Sequence, residues 1–215
     1  MRSCDVCPQC KGKLSPQERE AMPLNCLCRE AERLEAIKEL YNEDENMLLA
    51  HNAALVESEG YLKKTRLEEI IDFAHKCGYR KLGLAFCVGL HREAKVFCRI
   101  LRDHGFQVNS VVCKNGGISK DFIGISDSQQ VRSGTYEAMC NPIGQAVFLN
   151  NEKTELNILL GLCVGLDTLF IKYSEAPITV FAVKDRVLAH NPLAAVYVSE
   201  SYFKNRFEKP EEENK

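Results

Sequence analysis

Leu84-Ala85-Phe86-Cys87-Val88-Gly89-Leu90-His91 and Leu160-Gly161-Leu162-Cys163-Val164-Gly165-Leu166-Asp167 are two copies of one pattern. In each, a short apolar run ends at a cysteine, and a glycine two residues later leads into a helical segment. An apolar run of this length bounded by a turn residue reads as a buried strand. The glycine lets the chain turn tightly and leaves the first helix amides open to a ligand. Both copies therefore place a cysteine at the carboxyl end of a strand entering a helix.

Working outward, strands are expected over 81–87, 106–113, 157–163 and 178–184. Helices are expected over 92–104, from Pro142, over 166–174 and from Pro192. Near-continuous apolar strands separated by helices of these lengths make parallel βαβ units covered on both faces. The reading is an α/β fold, a compact doubly wound and mostly parallel sheet. Ahead of it, Thr65 and Glu68 form a capping box, Leu67, Ile70, Ile71 and Ala74 share one helical face, and Gly78 stops that helix.

The domain reading follows from composition. Residues 1–28 form a cysteine-rich metal-binding head and 29–64 an acidic helical collar. Residues 65–207 form the Rossmann-like domain, and the charged 208–215 reads as a disordered tail. A chain of 215 residues can bury a core without crosslinks, and its 11 cysteines are an odd number at about the 5% level, below a disulfide scaffold. No charged and apolar leader opens the chain, so a reducing, cytoplasmic setting is expected, in which the cysteines serve as metal ligands, reactive thiols or small buried hydrophobes. The longest apolar stretch, 156–166, is too short to span a membrane. A net charge of −2 with dispersed signs excludes a phosphate-backbone footprint, so neither nucleic acid nor membrane is an expected partner.

Two cysteine groups carry the chemistry. Cys4, Cys7, Cys10, Cys26 and Cys28 lie in a polar segment with no core to bury them. Their spacing approximates a zinc pattern whose second pair is Cys-x-Cys, and Cys4-x2-Cys7-x2-Cys10 equally matches the opening of a ferredoxin-type run. Cys87, Cys113 and Cys163 end strands and Cys140 precedes the Asn141-Pro142 helix start, so these four can converge in the crevice beyond the strand ends. Four thiolates there would suit a [4Fe–4S] cluster, with Lys114, Lys172 or Lys184 offsetting its charge. For each cysteine alone, packing as a small hydrophobe is the simpler reading, and Cys98 and Cys77 are assigned to it.

Weaker signals sit at the same rim. Asp167, His91, Lys184 and His190 are candidates for acid, base or anion-binding roles, His190 against the alternative of capping the Asn191-Pro192 helix. Asn115-Gly116-Gly117 is an anion-loop candidate that usually serves only as a turn.

Phe86-Cys87-Val88-Gly89-Leu90, Ser110-Val111-Val112-Cys113-Lys114, Met139-Cys140-Asn141-Pro142-Ile143-Gly144-Gln145-Ala146, Gly161-Leu162-Cys163-Val164-Gly165-Leu166-Asp167, Lys184-Asp185-Arg186-Val187-Leu188 and His190-Asn191-Pro192 together resemble an uncharacterised family of prokaryotic cysteine-rich proteins. The resemblance covers about residues 57 to 200, and the N-terminal head matches more loosely. It implies metal binding without a defined reaction, and its motif cysteines correspond to Cys87, Cys113, Cys140 and Cys163. The expected function is an iron-sulfur protein, with a cysteine-lined cleft serving redox or Lewis-acid chemistry on a small anionic substrate or with a redox partner. The alternatives are a zinc-binding sensor or carrier and a cluster-free thiol enzyme using Cys163 or Cys140 with His190.

Overall fold

The computed structural model describes residues 14–24 and 26–207. The expectations for Cys4, Cys7 and Cys10 and for the tail 208–215 lie outside the described residues. The chain divides into two compact units between residues 63 and 64.

In the first unit, Ser15 accepts from the Glu18 amide while the Glu18 carboxylate accepts from the Ser15 amide, a capping box that starts α1 (Pro16–Ala21) with proline in its first turn. The acidic 29–59 stretch is two helices, α2 (Ala31–Leu40) and α3 (Asp44–Gly60). Cys26 is buried at the entry to a short 3-10 turn, and the Arg19 guanidinium donates to the Cys28 carbonyl at 3.2 Å.

The second unit opens with α4 (Arg66–Lys76), whose Thr65–Glu68 capping box forms as the sequence predicts. It buries Ile70, Ile71 and Ala74 and stops at Gly78, which takes a φ of +74°. Then follow β1 (Lys81–Phe86), α5 (His91–Asp103), β2 (Gln107–Val112), α6 (Pro142–Asn151), β3 (Leu156–Leu162), α7 (Leu166–Tyr173), β4 (Ile178–Val183), α8 (Leu193–Tyr197) and α9 (Lys204–Phe207). The strands lie in the order β2-β1-β3-β4, all parallel. The chain steps from β1 to β2 on one side and then crosses to β3 on the other, so the winding reverses between β1 and β3. That gap is where open parallel sheets bind ligands.

Side-chain alternation divides the core. Leu82, Leu84 and Phe86 of β1 with Leu156, Ile158 and Leu160 of β3 pack against Ile70, Ala74, Phe97 and Leu101 of α4 and α5. Ala85, Val111 and Leu159 pack on the opposite face against Ala146, Leu149 and Phe170 of α6 and α7. The fold is therefore an α/β sandwich with helices on both faces.

One irregularity matters for the site. At Gly161 β3 takes a φ of +69°, and its register with β4 shifts twice there, between Leu159 and Leu160 and again across Gly161 between Leu160 and Leu162. This bulge breaks the alternation, so Leu160 joins one core while Leu162 joins the other. The apolar stretch 156–166 is accordingly strand only to Leu162, beyond which the chain turns into α7. The two copies of the quoted pattern also differ. Gly165 has a φ of +81°, whereas Gly89 is absent from the positive-φ glycines and sits inside a 3-10 turn, so only the second copy needs a residue without Cβ for its turn.

Candidate functional site

The cysteines sit where the strands stop. Cys87 follows β1, Cys113 follows β2, Cys163 follows β3 and Cys140 precedes Asn141, the N-cap of α6. The sheet ladder continues one step past the strands: the Cys87 amide donates to Leu160 at 3.0 Å and the Cys113 amide to Phe86 at 2.9 Å. Cys140 arrives at the end of the long β2–α6 connection and is pinned by its neighbour, whose amide donates to the Cys113 carbonyl at 2.7 Å. Asn141 also caps α6 through the Gly144 amide at 2.9 Å, and its side chain donates to Asn115 at 3.0 Å. Asn115 in turn donates to the carbonyls of Val112 and Asn141, both at 2.9 Å. Asn115 is thus a latch closing the connection.

All four thiols, with Gln145 and Leu162, line one cavity of about 10 Å³, space for a single water-sized occupant. The Cys113 thiol hydrogen-bonds with both Cys87 and Cys140 and also accepts from the Val88 amide at 3.3 Å. Three adjacent, largely buried thiols cannot all ionise, so protons concentrate on one of them. The bond from Cys113, the Gly89 amide and Lys184 hold Cys87 down to about 5. The bond from Cys113 and the charge of Lys114 and Lys120 hold Cys140 down to about 6, against burial and the Cys87 charge. Hydrogen bonding to its two neighbours and burial push Cys113 far up, so it keeps its proton. Cys163 accepts from the Arg186 guanidinium at 3.3 Å, a contact that raises Arg186 further.

Gln145 completes the wall. It is fully buried, and its amide nitrogen donates to Phe86 at 3.3 Å and Val111 at 2.8 Å, bridging the ends of β1 and β2. Two carbonyls demand a donor, so the amide orientation is settled by its partners and Oε1 is left without any. Among the described residues, no three His, Cys, Asp or Glu side chains are already disposed around a common point as an ion requires.

The model of a protein family of unknown function, DUF1847, matches residues 26–181 of this chain. The chain belongs to that family. An uncharacterized protein of Methanocaldococcus jannaschii is 47% identical over 191 residues, covering 89% of this chain and 93% of the relative. The resemblance to an uncharacterised prokaryotic family thus holds, and neither comparison carries a named activity. All four strand-end cysteines fall inside the matched DUF1847 span.

The other sequence candidates divide. Lys184 reaches the thiols, its ammonium lying beside Gly89 and Gly161. Asp167 is not part of the cavity wall; its carboxylate accepts the Thr168 amide at 2.8 Å in the first turn of α7. His190 does not cap the helix after Pro192. Its Nδ1 accepts the Asp185 amide at 3.1 Å, bracing a turn in which Ala189 and His190 both have positive φ. Cys98 is buried on α5, as its apolar spacing predicts, and burial raises its thiol. Gln145 and Arg186 also touch the thiol site; in the sequence both stand only within the resemblance motifs, with no role assigned to either.

Proposed function

We propose that this protein is a metal-binding protein whose strand-end cysteines Cys87, Cys113, Cys140 and Cys163 hold a soft metal centre of the iron–sulfur type. The observation that carries this reading is the convergence of four thiols from three strand ends and a helix cap on one cavity, where neighbouring hydrogen bonds and cations hold Cys87 and Cys140 below the ordinary thiol value. Thiolates are the donors that iron–sulfur clusters and zinc select. The cationic groups of Lys184, Lys114 and Arg186 offset their charge. The unpartnered Gln145 Oε1 supports an occupant as well, because a buried acceptor without a donor costs about 1–3 kcal/mol. Donor chemistry thus fits a metal, but the thiols bond to one another instead of surrounding a common point, so an ion or a multi-iron cluster alike requires them to turn outward and spread. Bound iron–sulfur would supply one-electron or Lewis-acid chemistry at the strand ends. The chain's own residues would ionise the ligands and hold a small anion near Lys184.

The test is anaerobic purification followed by iron, sulfide and zinc analysis and an absorption spectrum. Iron with equimolar sulfide and broad absorption near ~400 nm supports the proposal. Cys87→Ser, Cys113→Ser, Cys140→Ser and Cys163→Ser should each lose or shift that absorption, and Cys98→Ser should keep it. A colourless zinc protein points instead to the carrier or sensor reading. Unchanged iron and spectrum in all four variants would remove the cavity from consideration.

A second reading is favoured by one observation. The thiols are hydrogen-bonded to one another instead of splayed around a centre, which is the arrangement of a metal-free thiol enzyme using Cys140 or Cys87 as nucleophile. The same preparation decides, since that enzyme would be metal-free with rapidly alkylated thiols. Cys26 and Cys28 belong to the proposed head site, with zinc or iron there. A reducing cytoplasm is the proposed setting, since cysteines there serve as ligands or reactive thiols. Among the described residues, no helix is long and apolar enough to cross a membrane.

A further inference from the structure

A second and much larger cavity, about 350 Å³, lies on the other face of the sheet, between α5 and the edge strand β2. Phe86 and Cys87 stand back to back at the end of β1: Phe86 contributes to this cavity and Cys87 to the thiol cavity. Its volume falls in the range of metabolite-sized sites, whereas the thiol cavity does not.

The walls have a definite chemistry. His91, Lys95, Cys98 and Arg102 follow one another at helical spacing along one flank of α5, and Ser110 faces them from β2. Among the described residues, no carboxylate lines the cavity; the acidic residues of α5, Glu93 and Asp103, are not among its walls. Among the described residues, no ion pair involves Lys95 or Arg102. Arg102 is held in place by donating to the Val108 carbonyl on the outer edge of β2 at 3.1 Å. That contact leaves the remaining guanidinium N–H groups for a ligand, since arginine carries five. Ser110 meets the buried Cys98 thiol in a hydrogen bond, which places its hydroxyl at the wall. Phe86 and Ala94 supply apolar surface, and the Phe86 and His91 rings lie 6.2 Å apart at a tilt of 59°.

We infer that this groove binds a small phosphomonoester with an organic body, the phosphate meeting Lys95, Arg102 and Ser110 and the body lying on Phe86, Ala94 and His91. Arginine matches phosphate oxygens through its planar fork, and lysine adds a point charge. Two unpaired cations and a hydroxyl with no opposing carboxylate favour a doubly charged oxyanion over a cation or a neutral ligand. The apolar wall gives an organic phosphate an advantage over free phosphate, and the site is independent of any metal at the thiols.

Adenosine 5′-monophosphate, inorganic phosphate and adenosine serve as probes, titrated calorimetrically into the full chain at low salt. The nucleotide should bind saturably at one site per chain, at least tenfold more tightly than inorganic phosphate or adenosine. Lys95→Gln and Arg102→Gln should each weaken it at least tenfold with an unchanged melting temperature, because both side chains are exposed. Val147→Thr, on the exposed side of α6 across the sheet, should leave it unaltered. Absence of saturable nucleotide binding, equal affinity for inorganic phosphate, or binding indifferent to Lys95→Gln would each overturn the inference. The metal content of the same samples reports separately on the thiol cavity.

Discussion

At the scale of single residues, the thiol trio is a proton-sharing device whose titration can be read directly. In reduced, metal-free protein, alkylation of the half-exposed Cys140 should rise through pH about 6 and level off above it, instead of rising through the ordinary thiol value of 9.0. Cys98, raised by burial, should lag behind it at every pH. Cys113→Ala removes the largest cause of the lowering and should move the Cys140 inflection upward. Peptide-resolved alkylation rates check all three, and a wild-type inflection near 9 would mean the trio is not hydrogen-bonded as described. Stability follows from the same shifts. Cys87 and Cys140, lowered to about 5 and about 6, contribute stability that is complete above pH 9 and fades as pH falls towards those values. Cys113, raised, acts in the opposite sense above pH 9, where the unfolded chain ionises it and the folded chain does not. Denaturant midpoints of the metal-free protein should therefore climb from pH 5 towards 9 and fall above it.

At the scale of elements, the bulge in β3 aims the site. Gly161 occupies left-handed backbone, and a Cβ there would strike the Leu90 side chain. Gly161→Ala should cost about 2–4 kcal/mol, combining left-handed strain with overpacking. Because the bulge determines how Leu162 and Cys163 leave the strand, the variant should also weaken any metal signal. Gly165→Ala suffers the left-handed strain alone, with no atom within 4 Å of the added carbon, and should cost less. Gly89→Ala meets only ordinary contacts, at 3.8 Å to the Cys87 sulfur and 3.9 Å to the Lys184 nitrogen, and should be close to neutral. Urea denaturation of the three variants ranks them, and equal costs for Gly161→Ala and Gly89→Ala would contradict the bulge's role.

At the scale of the whole molecule, the two units predict separability: a chain of residues 64–215 should fold cooperatively and keep whatever the strand-end cysteines hold. Loss of that metal from a truncated chain whose circular dichroism remains native would mean the N-terminal cysteines supply ligands to it. The sequence by itself determined the elements, because strand and helix periodicity, the Thr65–Glu68 cap and the Asn141-Pro142 helix start are local properties of a few neighbouring residues. It also marked the four cysteines, since parallel strands separated by helices bring their carboxyl ends to one edge of the sheet whatever their spacing along the chain. Only the tertiary structure decided what those neighbours do to one another. The proton carried by Cys113, the register shifts around Leu160 and the orphaned oxygen of Gln145 depend on contacts between residues about twenty or more positions apart. Local pattern records which face a side chain takes, but hydrogen-bond partners and pKa shifts depend on distances that exist only after the layers have packed.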